Sequence, residues 1–222
     1  MLAHPDDESF GLGGVLAAFV DQATRARVLC FTHGEASTLG ASAGPLGERR
    51  AAELEAAARV LGVDDVELHA YPDGQLGQVP VEELIAHISD QAGDAELLLT
   101  FDAEGITAHP DHVAATDAAL AYAAGRHLPV LGWALPETVA AQLNAELATS
   151  FVGRAPGELD LSIRVDRARQ RDAIACHASQ SSDNPVLWRR LDLLGDTEHL
   201  RWLVSPPPGP ATSGVERGPG RG

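Results

Sequence analysis

Short apolar runs alternate along this chain with longer segments of helical period, and that alternation admits few folds. Arg27 to His33, Val66 to Ala70, Glu96 to Phe101 and Val130 to Leu135 are brief and apolar, as buried strands are. Between them lie Leu12 to Gln22, Gly47 to Leu61, a segment opened by Pro80 and running to Asp90, and Pro110 to Ala124, each with helical spacing. Strands separated by crossover helices build an α/β fold of Rossmann-like type: a mostly parallel sheet with helices on both faces. In such a sheet ligands bind at the carboxyl ends of the strands.

Local chemistry supports these boundaries. Gly62 stops the second helix at C′, where a left-handed residue is favoured. Pro80 suits a helix start, and Glu82 and Glu83 then lie in the first turn, where the helix dipole favours them. Pro136 opens a further helix. Gly157 to Val165 alternates apolar and polar residues, as a half-exposed strand would, and Asp166 caps a helix running toward His177. A helix over Pro185 to Leu194 and a strand near Leu200 to Val204 complete one domain, residues 1–204. From Ser205 the chain is rich in Pro and Gly without periodicity, and 205–222 reads as a disordered tail. Only three residues precede His4. The first strand is thus truncated, and a segment upstream of Met1 is the favoured explanation, since losing a central strand forfeits much burial.

The formal charge of −16 argues against a nucleic-acid partner. No run approaches the roughly 18 apolar residues that span a bilayer, and no leader precedes the first polar residues. The expectation is a cytoplasmic protein with no membrane partner. Cys30 and Cys176 read as buried free thiols.

Two clusters carry chemistry. The first is His4-Pro5-Asp6-Asp7-Glu8. Adjacent carboxylates beside a histidine are costly to gather unless a cation neutralises them. The plainer reading, a helix cap, needs only one Asp. The second is His109-Pro110-Asp111-His112, just after the Glu96–Phe101 strand. Pro110 fits the first helical turn, and Asp111 has a ready explanation as an early-turn acid. Brought together at one sheet edge, two histidines and a carboxylate make the open three-ligand set of a catalytic zinc, with a further carboxylate free to act as base. The same set describes non-haem Fe(II) oxygenases, and a non-catalytic metal-binding protein is a further alternative. Gly11, Gly13 and Gly14 do not match the dinucleotide fingerprint and sit beside three carboxylates, so close helix–sheet packing explains them better.

These motifs resemble those of the LmbE-like, PIG-L type N-acetylglucosaminyl deacetylases, a group that includes mycothiol and bacillithiol pathway deacetylases. AHPDDE and HPDH carry the resemblance. Thr32-His33-Gly34-Glu35, Arg50 with Glu53, Tyr71-Pro72-Asp73, and Arg171 through His177 to Gln180 support it. The resemblance implies Zn2+ held by His4, Asp7 and His112, with Fe2+ as the other metal in view. It implies Asp6 as general base and His109 as the residue that stabilises the oxyanion. Arg50 and Asp73 fall where the family holds sugar or inositol hydroxyls, and Glu35 stands where it could line the pocket. Some members carry tyrosine two residues before the first histidine of HPDH, where this chain has Thr107. The implied substrate is a small N-acetylated, sugar-like molecule, with an amide on a mycothiol-like thiol conjugate as runner-up, and family members are often homo-oligomers. His69, His87, His127 and His199 read as surface or structural residues.

Overall fold

The computed structural model describes residues 1–40 and 45–207. In chain order the elements are α1 (Asp7–Phe10), α2 (Gly13–Asp21), β1 (Arg27–Thr32), α3 (Leu46–Leu61), β2 (Asp65–Tyr71), α4 (Val81–Gln91), β3 (Leu98–Phe101), α5 (Gly105–Ala108) and α6 (Pro110–Ala124). They continue with β4 (Val130–Pro136), α7 (Glu137–Leu147), β5 (Gly153–Arg154), β6 (Leu161–Arg164), α8 (Arg167–Cys176), α9 (Ala178–Ser181), α10 (Pro185–Leu194) and β7 (Thr197–Val204). The anticipated tail lies outside the described residues, except for its first three.

Strands β1 and β2 pair in parallel, as do β3 and β4 and, briefly, β4 and β5. Residues Met1 to Ala3 lie between the two halves. The Leu2 amide donates to Leu29 O (2.9 Å), the Phe31 amide to Leu2 O (3.1 Å), and the Met1 amino group to Leu99 O (2.8 Å). The N-terminal residues thereby link β1 to β3 as a very short strand. Below them, a cavity of about 610 Å³ lies between Arg27–Leu29 and Leu97–Leu99.

The pairings are mostly parallel, as expected, but not purely so, and the sheet is mixed. β7 runs antiparallel to both β4 and β6. The sequence hides this, because a strand's direction leaves no mark on its own composition; only the short α10–β7 connection hints at a reversal. The strand anticipated over Gly157 to Val165 shrinks to β6, because Pro156–Glu158 forms a 3₁₀ turn. β4 is buried along nearly its whole length, as a central strand should be, whereas β6 alternates between half-buried and exposed residues at its edge. Cys30 is buried, but Cys176 is only half-buried, a correction to its reading as a buried thiol. No helix among the described residues is long and apolar enough to cross a membrane.

The Gly11–Gly14 segment serves close packing. A Cβ on Gly11 would come within 2.5 Å of the Phe101 ring, and one on Gly14 within 2.9 Å of Val165 Cγ2. Gly14→Ala therefore overfills a closed contact. It is expected to lower stability by ~1–3 kcal/mol, the usual cost of overpacking, measured as a shift in the urea midpoint at unchanged m-value.

Candidate metal centre and active site

Because Met1–Ala3, β1, β2 and β3 run the same way, their following loops converge at one end of the sheet. The first delivers His4, Asp6 and Asp7, β1 delivers Gly34 and Glu35, β2 delivers Asp73, and β3 leads through α5 to His109 and His112. His4 Nδ1 lies 3.1 Å from His112 Nε2, which lies 3.2 Å from Asp7 Oδ1. Donors about 2.0–2.2 Å from one tetrahedral ion sit roughly 3.3 Å apart, so His112 Nε2 is spaced from each of the other two atoms as one ligand is from another, while the Asp7 oxygen nearest His4 Nδ1 is Oδ2, at 3.9 Å.

The remaining hydrogen bonds decide which atoms face that point. His112 Nδ1 donates to Gly105 O at 3.1 Å, which leaves Nε2 as the nitrogen turned toward Asp7. His4 Nε2 is engaged by Asp73 Oδ1 (3.1 Å) and Asp111 Oδ2 (3.3 Å), which leaves Nδ1. Asp7 Oδ2 accepts from the Ala3 and His4 amides at 3.2 and 2.9 Å, which leaves Oδ1. Orientation of an imidazole through its other nitrogen is what metal ligation uses. Burial opposes charge on His4, yet its hydrogen bonds to Asp111 and Asp73 and the charges of Asp7 and Asp6 outweigh it and raise its pKa to about 10. Burial likewise works against the Asp7 carboxylate, but His112 and His4 hold it well below the usual range. The site favours positive charge, and a divalent cation suits it.

Two other sets share His4: ligand atoms of His4, His109 and His112 lie within 4.8 Å of one another, and so do those of His4, Asp73 and Asp111, the latter two carboxylates meeting His4 at Nε2. His109 is the N-cap of α6, and its Nδ1 accepts from the Asp111 amide at 3.2 Å. Burial, with the charges of His4 and His112, lowers its pKa and keeps the ring neutral. A neutral ring that accepts at Nδ1 carries its proton on Nε2, which makes it a donor rather than a ligand.

Asp6 occupies a strained position. Its φ of 118° is rare for a residue with a side chain, and such strain clusters at functional sites. Burial raises its pKa to about 6, with Arg50 opposing and Asp7 reinforcing the shift. Arg50 is 3% exposed. Its guanidinium donates to Asp6 Oδ2 (2.9 Å), Gly34 O (2.6 Å) and Pro5 O. It stands among protein acceptors rather than on an open surface. Asp73 touches His4 and also accepts from the Ala36 amide at 2.9 Å, while exposed Glu35 accepts from the Asp73 amide at 3.0 Å. All eight residues singled out in the sequence thus gather around this one end, although three of them reach it through another protein group.

Sequence reasoning passed over several supports. Asp111 is fully buried and accepts from the Gly74 and Leu76 amides at 2.7 and 3.0 Å, tying the β2 loop to α6 as it steadies His4. Glu8 is also fully buried, accepting from the Asp6 amide (2.9 Å), Ser9 Oγ (2.5 Å) and His177 Nε2 (2.5 Å). His177 is therefore the ion-pair partner of Glu8 beneath the Asp6 turn. Its place in the segment ending at Gln180 that supports the family resemblance is its one signal in the sequence. Removing one partner of a buried ion pair typically costs ~3–5 kcal/mol, so His177→Ala should unfold at markedly lower urea while Glu8→Gln/His177→Ala recovers part of the loss.

Fold and site together define a mixed α/β protein with a cluster of histidines and carboxylates, a candidate metal site, at the carboxyl ends of its parallel strands. The family profile described as PIG-L, GlcNAc-PI de-N-acetylase, matches residues 1–123, and the chain belongs to that family. It is 33% identical over 128 residues to a probable N-acetylglucosaminyl-phosphatidylinositol de-N-acetylase of Schizosaccharomyces pombe, a match covering 54% of this chain and 49% of that protein. A 1D-myo-inositol 2-acetamido-2-deoxy-alpha-D-glucopyranoside deacetylase of Thermobifida fusca is 29% identical over 233 residues, with 80% and 81% covered. The chain spans about half the length of several curated relatives that it matches. Among solved structures, the A40926 pseudoaglycone deacetylase Dbv21 aligns with a TM-score of 0.66 at 23% identity, covering 93% of this chain and 98% of that one. GalB, a 4-carboxy-2-hydroxymuconate hydratase of Pseudomonas putida, aligns at 0.68 and 18%, covering 94% and 98%. At such identities the likeness is one of fold, and one fold hosts unlike reactions.

Proposed function

We propose that the chain is a zinc-dependent hydrolase that removes the acetyl group from the amide nitrogen of a small amino-sugar derivative, releasing acetate and a primary amine. The approach of His4 Nδ1 and Asp7 Oδ1 to His112 Nε2 carries this reading, because each residue's remaining polar atom is committed elsewhere. Membership of the PIG-L family and the names of the curated relatives support the substrate class.

A divalent ion held by these three residues supplies Lewis acidity and lowers the pKa of a bound water to about 7. Asp6 is the general base that takes the water's proton, and Arg50 fixes its carboxylate for that task. As the carbonyl carbon becomes tetrahedral, His109 Nε2–H donates to the developing oxyanion. The proton held by Asp6 then passes to the departing nitrogen, so that the C–N bond breaks with no net change in the enzyme. Asp73 and Asp111 hold His4 in the tautomer that the centre needs. In this reading Arg50, Asp73 and Glu35 shape the site from behind, and Asp73 at its edge is the one best placed to meet a sugar hydroxyl.

The test is acetate release from N-acetylglucosaminyl-inositol and N,N'-diacetylchitobiose, beside release of the free amine and the N-acetylcysteine conjugate from an S-substituted N-acetylcysteinyl amide, with zinc or ferrous iron. Acetate from a sugar amide supports the proposal. Release from the thiol conjugate alone would move the substrate to that class, and oxygen uptake without acetate would overturn hydrolysis.

A further inference from the structure

A second group of metal-binding side chains lies away from this centre, on the outer edge of the sheet. β2 presents Glu67, His69 and Tyr71, and the facing helix α4 presents Glu83 and His87, four residues apart and so on one helical face. The register between β1 and β2 slips by one residue past Leu68, since Cys30 pairs with Leu68 but Thr32 with Tyr71. Such bulges re-aim side chains. Here the result is that the His69 and His87 rings lie 3.9 Å apart by their centroids, with Glu67 beside them.

Three observations point to a ligand. One donor atom each of Glu67, His69 and His87 lies within 4.8 Å of the others. His69 Nε2 is buried and makes no aligned hydrogen bond, although Glu67 Oε1 is only 2.7 Å away. An ion between them would open this close pair to the roughly 3.3 Å at which two ligands of one tetrahedral ion sit. Finally, the Tyr71 hydroxyl donates to Glu83 Oε1 at 2.7 Å and accepts from His87 Nε2 at 2.9 Å. That chain leaves Nδ1 as the free nitrogen of His87 and orients the ring through its other nitrogen, as an outer oxygen partner does for a ligating histidine.

We infer that Glu67, His69 and His87 form a second divalent-cation site, suited to Zn2+, that clamps the edge strand β2 to α4. Two imidazoles and one carboxylate are a ligand set that zinc accepts, with water completing the tetrahedron. His69 lies four residues before Asp73, whose carboxylate holds His4, so the ion steadies the loop that reaches the first centre. It takes no part in the reaction, since none of its ligands touches His4, Asp7 or His112.

Metal-stripped protein dialysed against Zn2+ tests this, with metal counted per chain in the wild type, in Asp7→Ala/His112→Ala and in His69→Ala/His87→Ala. Two ions are expected in the wild type and one in each double variant. In Asp7→Ala/His112→Ala, Zn2+ at 100 times its Kd should raise Tm by roughly 5–10 °C. Glu67→Gln, which removes one ligand with little change of shape, should weaken the second ion at least about tenfold. A single ion in the wild type that is lost in Asp7→Ala/His112→Ala would overturn the inference. So would no ion and no zinc-dependent rise in Tm in Asp7→Ala/His112→Ala, or a Glu67→Gln protein that binds both ions as the wild type does.

Discussion

Asp6→Asn is expected to keep its metal and lose ~10²–10⁴-fold in kcat, the usual contribution of a positioned general base. The amide is isosteric and still meets the Arg50 guanidinium, so the turn that delivers His4 and Asp7 should persist. What it lacks is a site for the water's proton. The wild-type rate should also fall as the pH drops below about 6, because the base works only when ionised and burial places its pKa there. The sign follows directly: a raised carboxyl pKa moves the acidic limb toward neutrality. Arg50→Lys should push that limb higher still, since a cation pulling the pKa down would hold the carboxylate less closely. A kcat/KM profile for the wild type and Arg50→Lys checks this, and an unchanged acidic limb in Arg50→Lys would remove Arg50 from its assigned part.

His112→Ala should instead lose the metal and the activity together. Its Nε2 is the atom nearest both other donors, and two remaining ligands seldom hold zinc in competition with chelators. Metal analysis separates this outcome from that of Asp6→Asn, even where both variants are inactive. Gly105 gives a second handle on the same ligand. Its carbonyl takes the His112 Nδ1 proton, and the neighbouring Ile106 holds a φ of 66°, which a β-branched side chain adopts only under constraint. Strain is thus concentrated in the residues that aim His112, as well as at Asp6.

Much of this was legible in the sequence, for physical reasons. Buried strands such as Val130–Pro136 announce themselves by continuous apolar character, and Pro110 and Gly62 mark helix ends through backbone geometry. The histidine–carboxylate clusters stood out because four acids beside histidines are costly without a cation. The direction of β7 was not legible, since hydropathy carries no polarity. Nor were the partners of Glu8, because His177 lies 169 residues away and only folding brings the two together. Arg50 shows the same limit from another side. Its place in the sequence fits a ligand contact, whereas its guanidinium is spent on Asp6 and two carbonyl oxygens. His69 and His87 read as surface or structural residues because β2, bulged against β1, must pack on α4 before their rings meet.

The most direct test of the central claim is a titration of metal-stripped Glu67→Gln protein with Zn2+, following acetate release from N-acetylglucosaminyl-inositol at each addition. The account predicts acetate release that rises in proportion to zinc and levels off at one equivalent per chain. Acetate release that is already complete in the stripped protein, or a fully loaded centre that acts on no N-acetyl sugar, would contradict it.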